Sequence, residues 1–184
     1  VKEEIAFNIS NSRARTVIVS KKYLKRFMEI LNSGDIPSIE KVIVLDSNNK
    51  GFKDNRLITF REFLEKGEKE IDLLNELETN VKLNDTATII YTSGSTGVPK
   101  GVILTHGNLL SNVENILEMV DVRETDVELS FLPLGHVFER IINYLLLRKG
   151  GTIGYAESIQ TIADDALVIK PTVFPAVPRV FEKF

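Results

Sequence analysis

The chain has no cysteine and no tryptophan, and only two methionines and two histidines among its 184 residues. Without cysteine there can be no disulfide and no thiolate metal site, which fits a reducing, cytoplasmic setting. His106 and His136 are too few for a three-histidine zinc centre. Long apolar runs are also missing. Stretches such as Tyr144 to Leu147 fall far short of the ~20 residues that span a bilayer, and the first residues carry no signal-peptide pattern. Positive and negative side chains nearly balance, 23 against 26 for a net charge of −3, and no Lys/Arg cluster stands out, so nothing recommends nucleic acid as a partner. What remains, 43% apolar and 27% charged residues, is the composition of a soluble globular protein with a real core.

Strand and helix patterns alternate along the chain. Val17–Val19 and Val42–Leu45 are continuous β-branched or apolar runs, as strands buried on both faces should be. Between them Leu24, Phe27, Met28 and Leu31 recur at helical spacing until Asn32-Ser33-Gly34. Thr59 with Glu62 reads as a capping box, and residues 75 to 83 as a polar connector. Residues 46 to 55 read as an exposed loop. Helices are expected over 108–120, 136–147 and 161–168, the middle one apolar on nearly every side, and a last helix from Pro178. Strands are expected at 88–91, 102–104, 129–134, 152–155 and 172–176. This predicts an α/β fold: a mainly parallel sheet flanked by helices on both faces, interrupted by a glycine-rich β-hairpin loop. Residues 1–84 form an α/β crossover subregion and 85–184 the hairpin with its following α/β units, both parts of one incomplete large domain. The chain opens on Val1 and closes on Phe184 within patterns that read as helical, as expected of an internal slice.

The hairpin is the most informative segment. Tyr91 to Gly101 reads YTSGSTGVPKG between two strand-like runs. Such a loop offers backbone N–H groups, several hydroxyls and the Lys100 ammonium, the donors a polyphosphate needs. The plain alternative is a flexible turn with an exposed lysine. A Walker A loop is excluded, because counting from Gly94 puts Pro99 where its second glycine belongs and Gly101 where its Ser or Thr belongs. No glycine has a partner two residues on, so the dinucleotide pattern fails as well. A nucleophile elbow centred on Ser95 would have Ser93 in its first glycine position, which leaves a serine hydrolase using Ser95 and His136 as a weak rival.

Ser93-Gly94-Ser95-Thr96-Gly97-Val98-Pro99-Lys100-Gly101 resembles, without a gap, the signature loop of the adenylate-forming superfamily. That superfamily includes acyl-CoA synthetases, coumarate ligases, luciferases and peptide-synthetase adenylation domains. Leu104 to Leu109 (LTHGNL) resembles the usual continuation of the loop. Ser130 to Arg140 (SFLPLGHVFER) and Lys170 to Phe181 (KPTVFPAVPRVF) are most similar to the long-chain fatty acyl-CoA synthetase branch.

The resemblance implies ATP-dependent activation of a long-chain fatty acid to acyl-AMP and then acyl-CoA. Thr92, Ser93, Gly94, Ser95, Thr96, Gly97 and Lys100 would grip the ATP phosphates, with Mg2+ bridging them and coenzyme A as cosubstrate. Lys100 and His136 would be the catalytic side chains. Alternatives are a coumarate-ligase-like or peptide-synthetase enzyme, or a nucleotide-binding module without catalysis. The resemblance also implies that the slice alone is inactive, since the acidic magnesium motif, the ribose-binding aspartate, the adenine pocket and the C-terminal lysine of the family fall outside it. A cytoplasmic enzyme is expected, with peripheral membrane contact open because its substrate partitions into lipid.

His136 is expected at a helix N-terminus, where the helix dipole and apolar neighbours disfavour its protonation, or else as a core-satisfied histidine. His106 is expected to serve a turn. Glu139, one turn beyond His136, could share a pocket with it or pair with Arg140 or Arg179, but one His and one Glu are too few for a metal site. Phe131, Phe138, Tyr144 and Phe174 read as core.

Overall fold

The computed structural model describes residues 2–45, 53–68, 70–92 and 98–181. Helix α1 (Lys2–Ser12) leads into strand β1 (Thr16–Val19), helix α2 (Lys21–Ser33) and strand β2 (Lys41–Val44). The helical stripe of α2 is buried as Leu24, Phe27, Met28, Ile30 and Leu31, and Gly34 ends the helix at φ 84°, a conformation only glycine adopts without strain. The helix returns the chain so that β1 and β2 pair in parallel, Val17 opposite Val42. Val42, Ile43 and Val44 are all buried, as befits a central strand.

Beyond β2 lies β3 (Leu57–Thr59), again parallel, giving the order β1-β2-β3. At three residues, β3 is too short to show a pattern in the sequence. Thr59 then caps helix α3 (Phe60–Gly67): its side chain accepts from the Glu62 N–H, and the Glu62 carboxylate accepts from the Thr59 N–H at 2.8 Å. The expected polar connector at 75–83 is instead largely helical, as α4 (Ile71–Asn80). Ile71, Leu74 and Leu77 recur every three residues there, a helical stripe hidden among Asn, Glu and Thr.

Strands β4 (Thr86–Thr92) and β5 (Lys100–Thr105) form a two-stranded sheet, and helix α5 (His106–Leu117) follows directly. Strand β6 (Val127–Ser130), helix α6 (Val137–Lys149) and strand β7 (Thr152–Tyr155) make a second strand–helix–strand unit, with β6 and β7 parallel. Helices α7 (Ile162–Ile169) and α8 (Pro178–Phe181) complete the chain as described. The protein is thus an α/β fold built on parallel pairs, as the sequence predicts.

Two expected strands change. The one over 129–134 stops at Ser130, where the Phe131 N–H is given to the Glu139 carboxylate instead of the sheet; further on, Pro133 has no N–H to give and the His136 N–H reaches Pro133 O at 2.8 Å. The one over 172–176 reduces to a single parallel bridge between Glu128 and Val173, in a segment that Pro175 interrupts. Of the expected loop at 46–55, residues 46–52 lie outside the described residues.

The chain divides into two compact units, Val1–Lys82 with Tyr91–Val102, and Leu83–Ile90 with Ile103–Phe184. The first has a core around Leu24, Ile36, Val42 and Val44. The second has one around Leu109, Val113, Ile141, Leu145 and Leu146. In the second unit Gly150, at φ 76°, ends α6, and Gly151 then passes close beneath it. A Cβ on Gly151 would stand 2.6 Å from Leu146 Cδ1 and 3.1 Å from Asp126 O. Gly151→Ala is therefore expected to destabilise by about 1–3 kcal/mol, read from the urea midpoint. Gly67→Ala, with nothing within 4 Å of the added carbon, serves as the comparison that carries no steric cost.

Candidate functional site

Of the predicted phosphate-binding residues, Thr92 and Lys100 are described, and Ser93, Gly94, Ser95, Thr96 and Gly97 lie outside the described residues. Thr92 ends β4 and Lys100 opens β5, and both are exposed. The Thr92 hydroxyl is 3.5 Å from the Lys100 carbonyl oxygen, the long limit of a hydrogen bond. Next to it, the Tyr91 hydroxyl donates to Asn11 Oδ1 at 2.7 Å, tying the end of β4 to α1 within the first unit.

The segment after the loop is built for support. Thr105 Oγ1 accepts from the Asn108 N–H at 3.1 Å, and Asn108 Oδ1 accepts from the Thr105 N–H at 3.0 Å, a reciprocal cap on α5. His106 N–H donates to Asp85 O at 3.1 Å and Gly107 N–H to Leu83 O at 2.8 Å. A Cβ on Gly107 would come 3.1 Å from that same Leu83 oxygen. His106 is exposed and serves this turn, as expected.

His136 is the N-cap of α6. Its Nδ1 accepts from the Phe138 N–H at 3.4 Å, and the ring is exposed rather than packed in the core. Between α5 and α6, directly beyond this cap in the chain, lies a groove of about 300 Å3. Its lining includes Leu104, Leu109, Ile116, Val137, Phe138 and Ile141. Phe138 and Phe174 are partly exposed, not core, and Phe174 stacks on Phe131 with ring centroids 4.9 Å apart.

Glu139 does not share the exposed surface of His136 and pairs with no arginine among the described contacts. It is fully buried, and its Oε1 accepts from Ser130 Oγ at 2.7 Å and from the Phe131 N–H at 3.0 Å. Arg140 points elsewhere: Nε and Nη2 hold Leu134 O at 3.1 and 3.0 Å, and Nη1 donates to Thr88 Oγ1 of β4 at 2.7 Å. Two neighbouring residues of α6 thus hold the two ends of the 131–134 segment.

Behind Glu139 lies a further buried polar group that the motifs do not point to. Glu128, also fully buried, accepts from Asn143 Nδ2 at 3.0 Å. The same amide donates to Ser130 Oγ at 3.2 Å, and its Oδ1 accepts from the Tyr155 hydroxyl at 3.2 Å. Burial first, and then the Glu139 charge, push the Glu128 carboxyl up to about 7, against the pull of the Asn143 hydrogen bond. The signal was present: a glutamate inside the strand VELS, and Glu139 with Asn143 at i, i+4 on a helix whose neighbouring positions Ile141, Leu145 and Leu146 are apolar.

The family described as AMP-binding enzyme matches residues 1–184. The mouse long-chain-fatty-acid–CoA ligase 5 is 32% identical over 200 aligned residues, covering 98% of this chain and 28% of the relative. The Arabidopsis thaliana peroxisomal long chain acyl-CoA synthetase 7 is 29% identical, covering 98% and 26%. The chain therefore spans about a quarter of the length of these relatives.

Among solved structures, the luciferase-like enzyme of the mealworm Zophobas morio superposes with a TM-score of 0.74 at 22% identity, over 98% of this chain and 40% of that one. The anthranilate CoA ligase AuaEII, in complex with anthranoyl-AMP, gives 0.69 at 22%, over 98% and 34%. At those identities the likeness speaks to the fold. Matched along its whole length and folded as these enzymes are, the chain belongs to the AMP-binding enzyme family of adenylate-forming ligases.

Proposed function

We propose that the protein carrying this chain activates a long-chain fatty acid with ATP and passes the acyl group to coenzyme A. The observation that carries this reading is the apolar groove between α5 and α6, which begins at the residues following His136. It supplies hydrocarbon lining where the relatives' printed names point to acyl substrates. In the reaction a carboxylate oxygen attacks the α-phosphorus of ATP, the bond to the β-phosphate breaks, and pyrophosphate leaves. The thiol sulfur of coenzyme A then attacks the acyl carbonyl, AMP leaves, and the thiol proton is released.

Thr92, Ser93, Gly94, Ser95, Thr96, Gly97 and Lys100 would hold the departing phosphates, Lys100 countering charge as it builds on the leaving group. Magnesium would ride on the phosphates. No group of three or more His, Cys, Asp or Glu that could hold a metal gathers among the described residues. His136, fixed at the start of α6, would steer the carboxylate at the mouth of the groove. Residues 1–84 and 85–184 would both contribute to one large domain of the longer protein. This chain alone would not turn over, since it spans about a quarter of the length of the relatives it matches. A cytoplasmic location with access to membranes is our reading from the lipid-partitioning substrate alone. Separately, no helix among the described residues is long and apolar enough to cross a membrane.

The test is to incubate the full-length protein with ATP, magnesium and a panel of fatty, aromatic and amino acids. AMP and pyrophosphate should form only with fatty acids, and Lys100→Ala should lower the rate by about 10²–10³. Preference for an aromatic or amino acid would move the protein to another branch, and ADP with phosphate would remove it from adenylation. Arg140→Lys keeps the charge but cannot fork between Leu134 O and Thr88 Oγ1. It should cost about 1–3 kcal/mol of stability and raise KM for fatty acid more than KM for ATP.

A further inference from the structure

We propose that Glu128 and Glu139 form a buried carboxyl–carboxylate pair holding one proton, and that this pair positions the 131–136 segment carrying His136. This deepens, and for its kinetic readout rests on, the acyl-activating reading above.

The case begins with unmatched oxygens. Glu139 Oε1 already accepts from Ser130 and Phe131, and Glu128 Oε1 from Asn143. Glu128 Oε2 and Glu139 Oε2 are buried without a hydrogen-bond partner. Two charged carboxylates in that state would each leave an acceptor bare in a site sealed from water, and would repel one another. One proton resolves both faults: Glu128 becomes a donor and Glu139 stays an acceptor.

The donors nearby are already committed. Asn143 gives its amide to Glu128 and Ser130, Ser130 gives its hydroxyl to Glu139, and Tyr155 on β7 gives its hydroxyl to Asn143. Charged groups on the surrounding elements are turned to other partners. Arg140 on α6 holds Leu134 and Thr88, Asp165 on α7 accepts from Thr161 and the Glu157 N–H, and Asp126 before β6 accepts from the Arg123 N–H and Thr172. The charge that acts on Glu128 is that of Glu139.

The pair also sets a geometry. The Glu139 oxygen that holds Ser130 and Phe131 fixes where β6 ends and the turn toward His136 begins. With the proton gone, two like charges share the pocket and Glu139 is driven from those donors.

The sign follows from Glu128, whose carboxyl is raised to about 7 by burial and by Glu139. The folded protein then holds the proton more tightly than the unfolded chain, where the carboxyl titrates in its ordinary range. This contribution to stability is complete below that range and is lost as pH rises through about 7.

The full-length protein is measured from pH 5 to 9. The urea midpoint should fall as pH rises through about 7, and Glu128→Gln should remove that fall, since its amide can donate to Glu139 at every pH. In wild type, the infrared difference between pH 6 and 9 should show the loss of a carboxylic-acid carbonyl band, which Glu128→Gln should lack. If the protonated form is the one competent for acyl binding, KM for fatty acid should rise about tenfold from pH 6 to 8 with little change in kcat, and in Glu128→Gln it should be flat.

Absence of the acid band from wild type, or an unchanged stability slope in Glu128→Gln, overturns the pair. A midpoint that drops on adding a chelator does so too, by placing a cation between the carboxylates. A stability slope with a flat wild-type KM overturns the positioning role. Should no fatty acid be activated at all, the functional reading fails, while the band and the stability slope still decide the pair.

Discussion

A carboxylate taken out of water must find donors, and the local architecture around His136 follows from how Glu139 finds them. It lies in the first turn of α6, where the positive end of the helix dipole favours a negative charge. It takes its donors from Ser130 and Phe131, the last residue of β6 and the first beyond it. Because the Phe131 N–H is given to a side chain, it is withheld from the sheet ladder, and the strand ends there. Arg140, the next residue on the helix, takes the Leu134 carbonyl at the far side of the turn. The His136 N–H then closes onto Pro133 O. A segment with one proline and no regular pairing is thereby held at several points from one helical turn.

The same Arg140 reaches Thr88 on β4, the strand that continues to Thr92 at the edge of the phosphate-loop motif. Further support comes from the start of α5. Thr105 and Asn108 satisfy one another across the cap, and the backbone of His106 and Gly107 is bonded to Asp85 and Leu83 just before β4. Part of the LTHGNL block is therefore explained by helix capping and by close backbone approach. These residues need no contact with a nucleotide to account for their identity.

How much of this could be read from the sequence depended on whether the deciding contact was local. Helix α2, its Gly34 stop, the Thr59 capping box and the return from β1 to β2 were legible because propensity, periodicity and cap chemistry act within a few residues. The early end of β6 was not, because it is decided by a carboxylate nine residues away. Helix α4 was obscured by its polar composition, and β3 by its length. In the candidate site, His136 as a helix start was legible, whereas the partners of Glu139 were not. Arg140 and Arg179 are the ion-pair partners the sequence suggests for Glu139, but the helix turns Arg140 to a different face. Glu128 is hard to read from sequence because a single acidic residue in a short strand looks like a solvent-facing position, whereas here it is fully buried.

Two buried glutamates are a poor way to gain stability alone, since an apolar pair of similar volume often does as well or better. What an apolar pair cannot do is hold a hydroxyl and a backbone N–H at hydrogen-bond distance, and so fix the direction in which the chain leaves β6. Ser130, Asn143 and Tyr155 extend that constraint across β6, α6 and β7 through directional bonds, so a shift in one element leaves buried polar groups unmatched in the others. The cost of the buried carboxyls is therefore tied to a single geometry, in which the α6 N-terminus, its capping histidine and the apolar groove along α5 and α6 occupy fixed places relative to one another. An acidic network at this position is better understood as a device for holding that geometry than as a source of stability.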